Sequence, residues 1–158
     1  MNVLKWMEEM AWLQIFGHKE EGIDYFVRVG TYAVIFKDSD KKVVGLIRAN
    51  GAQYFLPGGG IEAGENDRQC LKREFLEETG YSIRDIHYLG HAVRYFRSTL
   101  PIARYMLSDG HFYTAWLNEK VQEQTEKDNF LEWISVSSYH ELIYHQHQAW
   151  AIEQALKK

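Results

Sequence analysis

Residues 56–83 of the 158-residue chain read LPGGGIEAGENDRQCLKREFLEETGYSI, and this segment is the most informative part of the sequence. Its opening, Pro57 to Gly60, is predicted to be a loop, because proline lacks a backbone donor and each glycine costs about 1 kcal/mol in a helix. Asn66 can cap a helix that has Gln69 at its third position, and Gly80 suits the left-handed conformation that ends one. The segment therefore predicts a glycine loop followed by a helix.

The predicted helix runs from Asp67 to Thr79 and carries three glutamates on one face. Glu74, Glu77 and Glu78 stand at i, i+3 and i+4, within an arc of roughly 100°. Like charges at this spacing destabilise an isolated helix by about 0.2 to 0.5 kcal/mol per pair. Arg73 can pair with Glu77 but cannot neutralise all three carboxylates, whose oxygens are typical ligands of Mg²⁺ or Mn²⁺. A solvated acidic face is the alternative interpretation.

The same segment matches a known signature. Its fixed positions have the spacing G-x5-E-x7-R-E-apolar-x-E-E-x-G-apolar, and they are occupied by Gly59, Glu65, Arg73, Glu74, Glu77, Glu78 and Gly80, with Phe75 and Tyr81 as the apolar residues. The stretch from Gly59 to Tyr81 closely resembles the complete signature of the Nudix hydrolases. The resemblance implies an α/β domain, a Nudix-like α/β/α sandwich with a mixed β-sheet, that hydrolyses a phosphoanhydride bond with Mg²⁺, for which Mn²⁺ is a substitute.

Nudix hydrolases cleave nucleoside diphosphates linked to another moiety, so the resemblance implies a small nucleotide substrate. The candidates are (d)NTPs, ADP-ribose and other nucleotide sugars, and dinucleoside polyphosphates. The resemblance also makes a homodimer reasonable. The alternative function is a sensor domain that binds a nucleotide diphosphate without cleaving it, although such domains typically lose one of the signature carboxylates.

The resemblance assigns roles to five side chains. Glu77 and Glu78 correspond to the main metal ligands, while Glu74 either binds metal or accepts the proton of the attacking water. Arg73 and Glu65 are implied to form an ion pair that orients the catalytic helix.

Further candidate site residues lie outside the helix. Gly59 and Gly60 are implied to let backbone atoms approach the metal and the phosphates closely. Arg48, at the far end of the second predicted strand, is a cation that could meet a phosphate, or else a solvated or salt-bridged arginine. In the family a further carboxylate after the signature often completes the metal site, and Glu126 is predicted to be this ligand. The alternatives to it are Asp128 and Glu123.

The whole chain, residues 1–158, is predicted to form one domain in which residues 1–22 are an N-terminal extension. Its formal net charge of −4 argues against a nucleic-acid polymer as partner, because such proteins normally show a basic patch. Cys70 is the single cysteine, which excludes an internal disulfide and suits a reducing cytoplasm. Without a signal-peptide pattern or a long apolar run, the chain is expected to be soluble and cytoplasmic, with no membrane segment.

The remaining elements follow from apolar and β-branched runs. The predicted strands are Tyr25 to Phe36, Val43 to Ile47, Gln53 to Leu56, Arg84 to Phe96, His111 to Leu117 and Leu131 to Val136. The first two are predicted to form a hairpin, and Ser98 to Gly110 to be a long connection that borders the site. A final helix is predicted from Ser138 to Leu156, and Met1 to Phe16 fits either a helix or a strand. The histidines of the final helix are expected at its surface: His140, His145 and His147.

Overall fold

The computed structural model describes residues 3–4, 13–49, 51–99 and 101–158. From residue 13 onward, the described chain forms eight strands and three helices. The strands are β1 (Gln14–Phe16), β2 (Phe26–Ile35), β3 (Val43–Ala49), β4 (Gln53–Phe55), β5 (Gly58–Gly60), β6 (Tyr81–Ser98), β7 (Arg104–Lys120) and β8 (Phe130–Ser135). The helices are α1 (Asp67–Thr79), α2 (Tyr139–Leu142) and α3 (Gln146–Leu156).

The strands form two sheets. The larger one has five strands in the order β1-β6-β7-β2-β5, and the smaller one has three in the order β4-β3-β8. The larger sheet is mixed, because β2 pairs with β7 in parallel whereas β6 and β7 are antiparallel. The predicted α/β class with a mixed sheet is therefore confirmed.

The larger sheet lies between α1 and α3. Because successive side chains of a strand point to opposite faces, Ala33 and Ile35 of β2 pack on the side of α1, while Val34 packs on the side of α3. Phe75 of α1 and Ile152 of α3 are fully buried in the two cores. This helix, sheet and helix layering places the glutamate-bearing helix directly on the sheet.

The segment from Pro57 to Gly60 is predicted from its sequence to be a loop. This prediction is wrong for Gly58, Gly59 and Gly60, which form strand β5. This strand pairs with β2 through Gly59 opposite Thr31, and it lies at the edge of the larger sheet. Proline and glycine disfavour a central strand but are tolerated at an edge. The Pro57 carbonyl accepts a 3.0 Å hydrogen bond from the Ala33 backbone, so the chain joins the sheet directly after the proline.

The predicted hairpin and the predicted long connection are also wrong. Strands β2 and β3 meet only at the bridge between Phe36 and Val44, after which they diverge into different sheets. The connection after β6 is short, because β7 already begins at Arg104 and pairs with β6 along almost its whole length. Long-range strand pairing thus extends two strands that sequence propensity alone predicts to be shorter.

The predicted helix from Ser138 to Leu156 is interrupted. Ile143 has an extended backbone and forms a bridge with Tyr54, which separates α2 from α3. His140 is exposed as expected, but His147 is completely buried, so its predicted surface position is wrong. The helical periodicity used for the whole segment does not continue across the break.

The N-terminal extension is described only in part, and most of the Met1 to Phe16 segment lies outside the described residues. Residues 14–16 form β1, which pairs in parallel with β6. This part of the extension therefore belongs to the larger sheet. None of the described helices is long and apolar enough to span a membrane.

Candidate active site

Helix α1 has the boundaries and the caps that its sequence predicts. The Asn66 side chain accepts a 2.9 Å hydrogen bond from the Gln69 backbone, and the Gln69 side chain accepts one of the same length from the Asn66 backbone. Gly80 ends the helix at φ 76°, and its N–H donates to the Leu76 carbonyl. These caps satisfy terminal backbone groups and hold α1 in one register next to β5.

The expected ion pair between Arg73 and Glu65 is present and has two hydrogen bonds. Arg73 Nε lies 2.6 Å from one Glu65 oxygen, and its terminal nitrogen lies 2.9 Å from the other. The same nitrogen donates to the Gly60 carbonyl at 3.0 Å. Hydrogen bonds from Arg73 hold the pKa of Glu65 below its usual value. The guanidinium therefore connects α1 to β5 and to the segment between them.

Three carboxylates converge beside this guanidinium. Oxygens of Glu74, Glu77 and Glu126 lie within 4.8 Å of one another. Arg73 donates to Glu74 at 3.0 Å and to Glu77 at 3.2 Å, but it is not paired with Glu126. The cluster thus contains more negative charge than Arg73 alone offsets.

The backbone explains how Glu126 reaches α1. Its N–H and that of Thr125 both donate to the Glu77 carbonyl, at 2.9 and 3.0 Å. The Asn129 side chain then donates to a Glu126 oxygen at 2.7 Å. The segment before β8 is therefore attached to the last turn of α1. Asp128 and Glu123, the predicted alternatives to Glu126, do not belong to the carboxylate cluster. Glu123 instead pairs with Lys120.

The chemistry of this cluster fits a divalent cation. Burial raises the pKa of Glu74, and the charges of Glu77 and Glu126 raise it further. A bound cation would relieve the repulsion among these groups. Carboxylate oxygens are the hard ligands that Mg²⁺ and Mn²⁺ prefer.

Glu78 lies beside the cluster but does not belong to it. Its carboxylate is buried and accepts a 2.8 Å hydrogen bond from the Gly58 backbone. Burial raises its pKa well above the usual value, and the charge of Glu74 adds to the effect. Its predicted role as a metal ligand stays a prediction.

Gly59 lies where β5 closely approaches α1. A Cβ at this position would lie 2.5 Å from the Glu74 carboxylate, so any larger residue would displace that carboxylate. At Gly60 the nearest atom to a Cβ would be Arg28 Nε at 3.2 Å. The backbone of Gly59 therefore borders the carboxylate cluster without an intervening side chain.

The structure does not bring Arg48 to this cluster. Its Nε lies 2.7 Å from Glu132, a second nitrogen donates to the Gly51 carbonyl, and its guanidinium covers the Phe130 ring. The salt-bridged alternative is thus the arrangement observed. Its predicted contact with a phosphate stays a prediction.

A cavity of about 250 Å³ opens next to the carboxylates. Glu74, Glu78 and Glu126 line it together with several residues that the sequence analysis missed. These are Arg28, Tyr32, Phe55, His145 and Gln148. Gln148 helps to close the cavity wall, since its side chain accepts a 2.7 Å hydrogen bond from the Leu56 backbone. Burial raises the pKa of Tyr32 to about 12 and lowers that of His145 to about 2, so both are neutral near pH 7.

A second cavity, of about 460 Å³, adjoins the first. Arg28, Phe55 and His145 line both of them. Aromatic rings supply much of the wall of the second cavity: Phe26, Phe55, Phe96 and Tyr144. Arg28 and Arg104 are its cations, and no ion pair of Arg28 is found in the part of the chain that the structure describes. Glu74 and Glu78 in the wall of the first cavity belong to the sequence signature. The other walls come from distant strands and α3, and they have no local sequence signal.

Two curated relatives match parts of the chain. The RNA pyrophosphohydrolase of Halorhodospira halophila is 35% identical over 68 residues, which are 43% of this chain and 38% of the relative. The NAD-capped RNA hydrolase NudC of Mycobacterium tuberculosis is 32% identical over 98 residues, or 60% of this chain and 30% of the relative. The chain therefore spans roughly a third of the length of these relatives.

Solved structures share the fold. A NUDIX hydrolase from Nitrosomonas europaea superimposes with a TM-score of 0.67 at 18% sequence identity, over 84% of this chain and 90% of that one. A structure from a study of MutT from Aliivibrio salmonicida and Vibrio cholerae gives a TM-score of 0.60 at 16% identity, over 84% and 98% of the two chains. A family model described as the NUDIX domain matches residues 27–155, which include all of the candidate active site. The chain belongs to the NUDIX domain family.

Proposed function

We propose that this protein hydrolyses a phosphoanhydride bond in a nucleoside diphosphate linked to another moiety. The observation that carries the proposal is the convergence of Glu74, Glu77 and Glu126 within 4.8 Å, beside the glycine backbone of β5. Phosphoryl chemistry requires stabilisation of charge on the phosphate oxygens and an oriented water. A carboxylate cluster that opens into a cavity supplies ligands for a cation at the place where a diphosphate would enter.

Mg²⁺ is the proposed cofactor, with Mn²⁺ as a substitute. Glu74, Glu77 and Glu126 would hold it, and Glu78 is a further candidate ligand from the same helix. When bound, the ion supplies positive charge to the phosphate oxygens and lowers the pKa of a coordinated water. The donor set supports this assignment, since all of its ligand atoms are carboxylate oxygens.

The protein's own groups position the reaction. Arg73 and Glu65 hold α1 against the segment that follows β5, so the glutamates keep a constant distance from the Gly59 backbone. Glu78, or Glu74 in the alternative in which it does not hold the cation, is the carboxylate best suited to accept the water proton, because burial raises the pKa of both. The glycine backbone of β5 borders Glu74 without an intervening side chain.

The adjoining cavities support a nucleotide as the substrate. Arg28 lines both cavities and provides a guanidinium that can bind a phosphate at their junction. The aromatic rings of Phe55, Phe96 and Tyr144 offer stacking surfaces for a nucleobase in the larger cavity. The candidates remain (d)NTPs, ADP-ribose and other nucleotide sugars, and dinucleoside polyphosphates. The names of the two curated relatives add RNA and NAD-capped RNA as candidates, although the net charge of this chain argues against a nucleic-acid polymer.

The proposal is tested by measuring product release from a panel of these compounds in Mg²⁺ and in Mn²⁺. Glu77→Gln and Glu126→Gln remove one charge each from the cluster, and we expect Glu77→Gln to abolish nearly all turnover without unfolding the chain. Glu123→Gln, an exposed carboxylate outside the cluster, is the matched control. Normal turnover in Glu77→Gln would contradict the ligand assignment.

The same panel distinguishes hydrolysis from sensing. A sensor domain would bind a nucleotide diphosphate tightly in Mg²⁺ and release it unchanged. Equilibrium binding to the wild-type chain, followed by analysis of the recovered ligand, separates the two functions directly. Metal-dependent conversion of the recovered ligand supports the hydrolase.

Two expectations about the cellular form of the protein stay predictions. Burial of Cys70, which raises the pKa of its thiol, is compatible with a reducing cytoplasm. The proposed homodimer is tested by measuring molar mass in solution by light scattering coupled to gel filtration. A mass of twice 18.6 kDa is expected, and a monomer would contradict it.

A further inference from the structure

A second cluster of metal-ligating side chains lies on strands β6 and β7 and shares no residue with the glutamate cluster. It consists of His91, Asp109 and His111, whose ligand atoms lie within 4.8 Å of one another. His91 Nε2 lies 2.5 Å from an Asp109 oxygen, and His111 Nε2 lies 3.5 Å from the same oxygen. All three side chains are partly buried, with exposed fractions between 23% and 35%.

The pairing register of the two strands brings these residues together. His91 is directly opposite His111 in the antiparallel pair, and Asp109 is two residues before His111 on β7. Residues two apart on a strand project from the same face, and cross-strand neighbours have Cβ atoms about 5 Å apart. The cluster is therefore a consequence of strand register on a rigid part of the larger sheet.

Asp67, at the start of α1, orients one of the histidines. Its carboxylate lies 3.0 Å from His111 Nδ1 and accepts a 2.6 Å hydrogen bond from the Tyr113 hydroxyl. When Nδ1 carries the proton that this contact requires, the lone pair of Nε2 is directed to the side of Asp109. A carboxylate behind the distal nitrogen is the usual arrangement around a metal-ligating histidine.

We propose that His91, Asp109 and His111 form a second metal site, for a first-row divalent transition ion such as Zn²⁺. Two imidazoles and one carboxylate suit Zn²⁺, whereas Mg²⁺ prefers oxygen ligands and favours the glutamate cluster. In a tetrahedral zinc site, neighbouring ligand atoms are about 3.4 Å apart. The distance from His111 Nε2 to the Asp109 oxygen, 3.5 Å, already is close to this value. The distance from His91 Nε2 to the same oxygen, 2.5 Å, would have to increase by about 1 Å. Water would occupy the fourth position.

The proposed site has a structural consequence. The ion would connect β6 with β7 directly, and it would connect both strands with α1 through the contact between His111 and Asp67. Helix α1 also carries the glutamates of the candidate active site. Zinc would therefore stabilise the chain without being part of the hydrolytic machinery, and the proposal does not depend on the proposed function.

The test is a titration of the full-length chain with Zn²⁺ in the presence of millimolar Mg²⁺, which is added to compete with Zn²⁺ for the glutamate cluster. We expect one zinc per chain to bind with high affinity and to raise the melting temperature. His91→Asn and His111→Asn should each weaken this binding at least tenfold. His87→Asn is the matched control, because His87 is an exposed histidine on the same strand that lies outside the cluster. Co²⁺ bound in place of Zn²⁺ should give the visible absorption of a tetrahedral site.

A second measurement needs no variant and therefore does not depend on whether the variants fold. Nuclear magnetic resonance of the imidazole nitrogens in the wild-type chain should show zinc-induced shifts at His91 and His111 but not at His87 or His140. Zinc affinity that is unchanged in both asparagine variants, or zinc-induced shifts confined to other histidines, would overturn the proposal. Absence of any binding at millimolar Mg²⁺ would also overturn it, and would show that the cluster is only a set of hydrogen-bonded ion pairs between the strands.

Discussion

Arg73 binds Glu65 through both carboxylate oxygens, at 2.6 and 2.9 Å, across the segment that joins β5 to α1. Two parallel N–H···O bonds define the direction of the helix as well as its distance from β5. The same guanidinium also donates to the Gly60 carbonyl and to Glu74. A single arginine therefore sets the position of the glutamates relative to the glycine backbone.

Arg73→Lys keeps the positive charge but loses the planar fork. We expect kcat/KM to fall about 10- to 100-fold, because displacement of catalytic groups by about 1 Å can cost a factor of this size. The melting temperature should fall as well. Steady-state kinetics and thermal unfolding measure the two effects, and Arg68→Lys is the control because Arg68 is an exposed arginine on the same helix. Equal kinetics in the two variants would contradict the positioning role.

Gly59→Ala tests the close approach of β5 to α1. The added methyl group would lie 2.5 Å from the Glu74 carboxylate, so we expect a loss of about 1 to 3 kcal/mol in the free energy of unfolding and a strong loss of turnover. Gly60→Ala is the matched comparison, because its methyl group would meet only the adjustable Arg28 side chain, at 3.2 Å. Urea unfolding of both variants provides the measurement. A larger destabilisation at Gly60 than at Gly59 would contradict the geometry.

Helix α1 could be predicted from the sequence because its determinants are local. Asn66, Gln69 and Gly80 are next to the turns that they cap, and the structure confirms the helix from Asp67 to Thr79. Strand β5 could not be predicted in the same way. Its pairing depends on Thr31 of β2, which lies 28 residues earlier than Gly59 in the chain. The glycine content of a segment restricts the backbone conformations it can adopt, but whether the segment forms a strand depends on the partner strand.

The candidate site also combines features that are visible in the local sequence with features that depend on long-range contacts. The spacing of the α1 glutamates is visible in the sequence, but the approach of Glu126 depends on backbone hydrogen bonds to the Glu77 carbonyl. Arg28 lies within a β-branched run that reads as an ordinary strand, so its exposure to both cavities has no local signal. The register that places His91 opposite His111 is equally invisible without the strand pairing. Long-range topology supplies all three of these relationships.

Arg28→Gln tests the proposed phosphate contact at the junction of the two cavities. A charged hydrogen bond to a phosphate is worth about 1.5 to 3 kcal/mol, so we expect KM for the best substrate to rise about 10- to 100-fold. The melting temperature should change little, because Arg28 is an exposed residue with no ion pair among the described residues. Arg84→Gln, at another exposed arginine, should leave KM unchanged. An unaltered KM in Arg28→Gln would contradict the assignment.

Because His147 is buried, we expect the free energy of unfolding to depend on pH. Burial, together with the charge of Arg94, lowers the pKa of His147 to about 3, whereas in the unfolded chain it is about 6.5. At a pH below about 6.5, the unfolded chain therefore binds a proton at this histidine that the folded chain does not bind. The contribution of His147 to the free energy of unfolding is thus fully present above about pH 6.5 and is lost as the pH falls toward 3. This one group should remove about 2 kcal/mol from the free energy of unfolding between pH 7 and pH 5.

His147→Gln removes the titrating group and retains a polar side chain for the contact with Ser108. Urea unfolding at pH 7 and pH 5 should therefore show a smaller acid-induced loss in the variant than in the wild-type chain, by about 2 kcal/mol. His140→Gln is the matched control, because it makes the same replacement at an exposed histidine. Identical pH dependence in the wild type and His147→Gln would show that His147 is not the buried, neutral group that the fold implies.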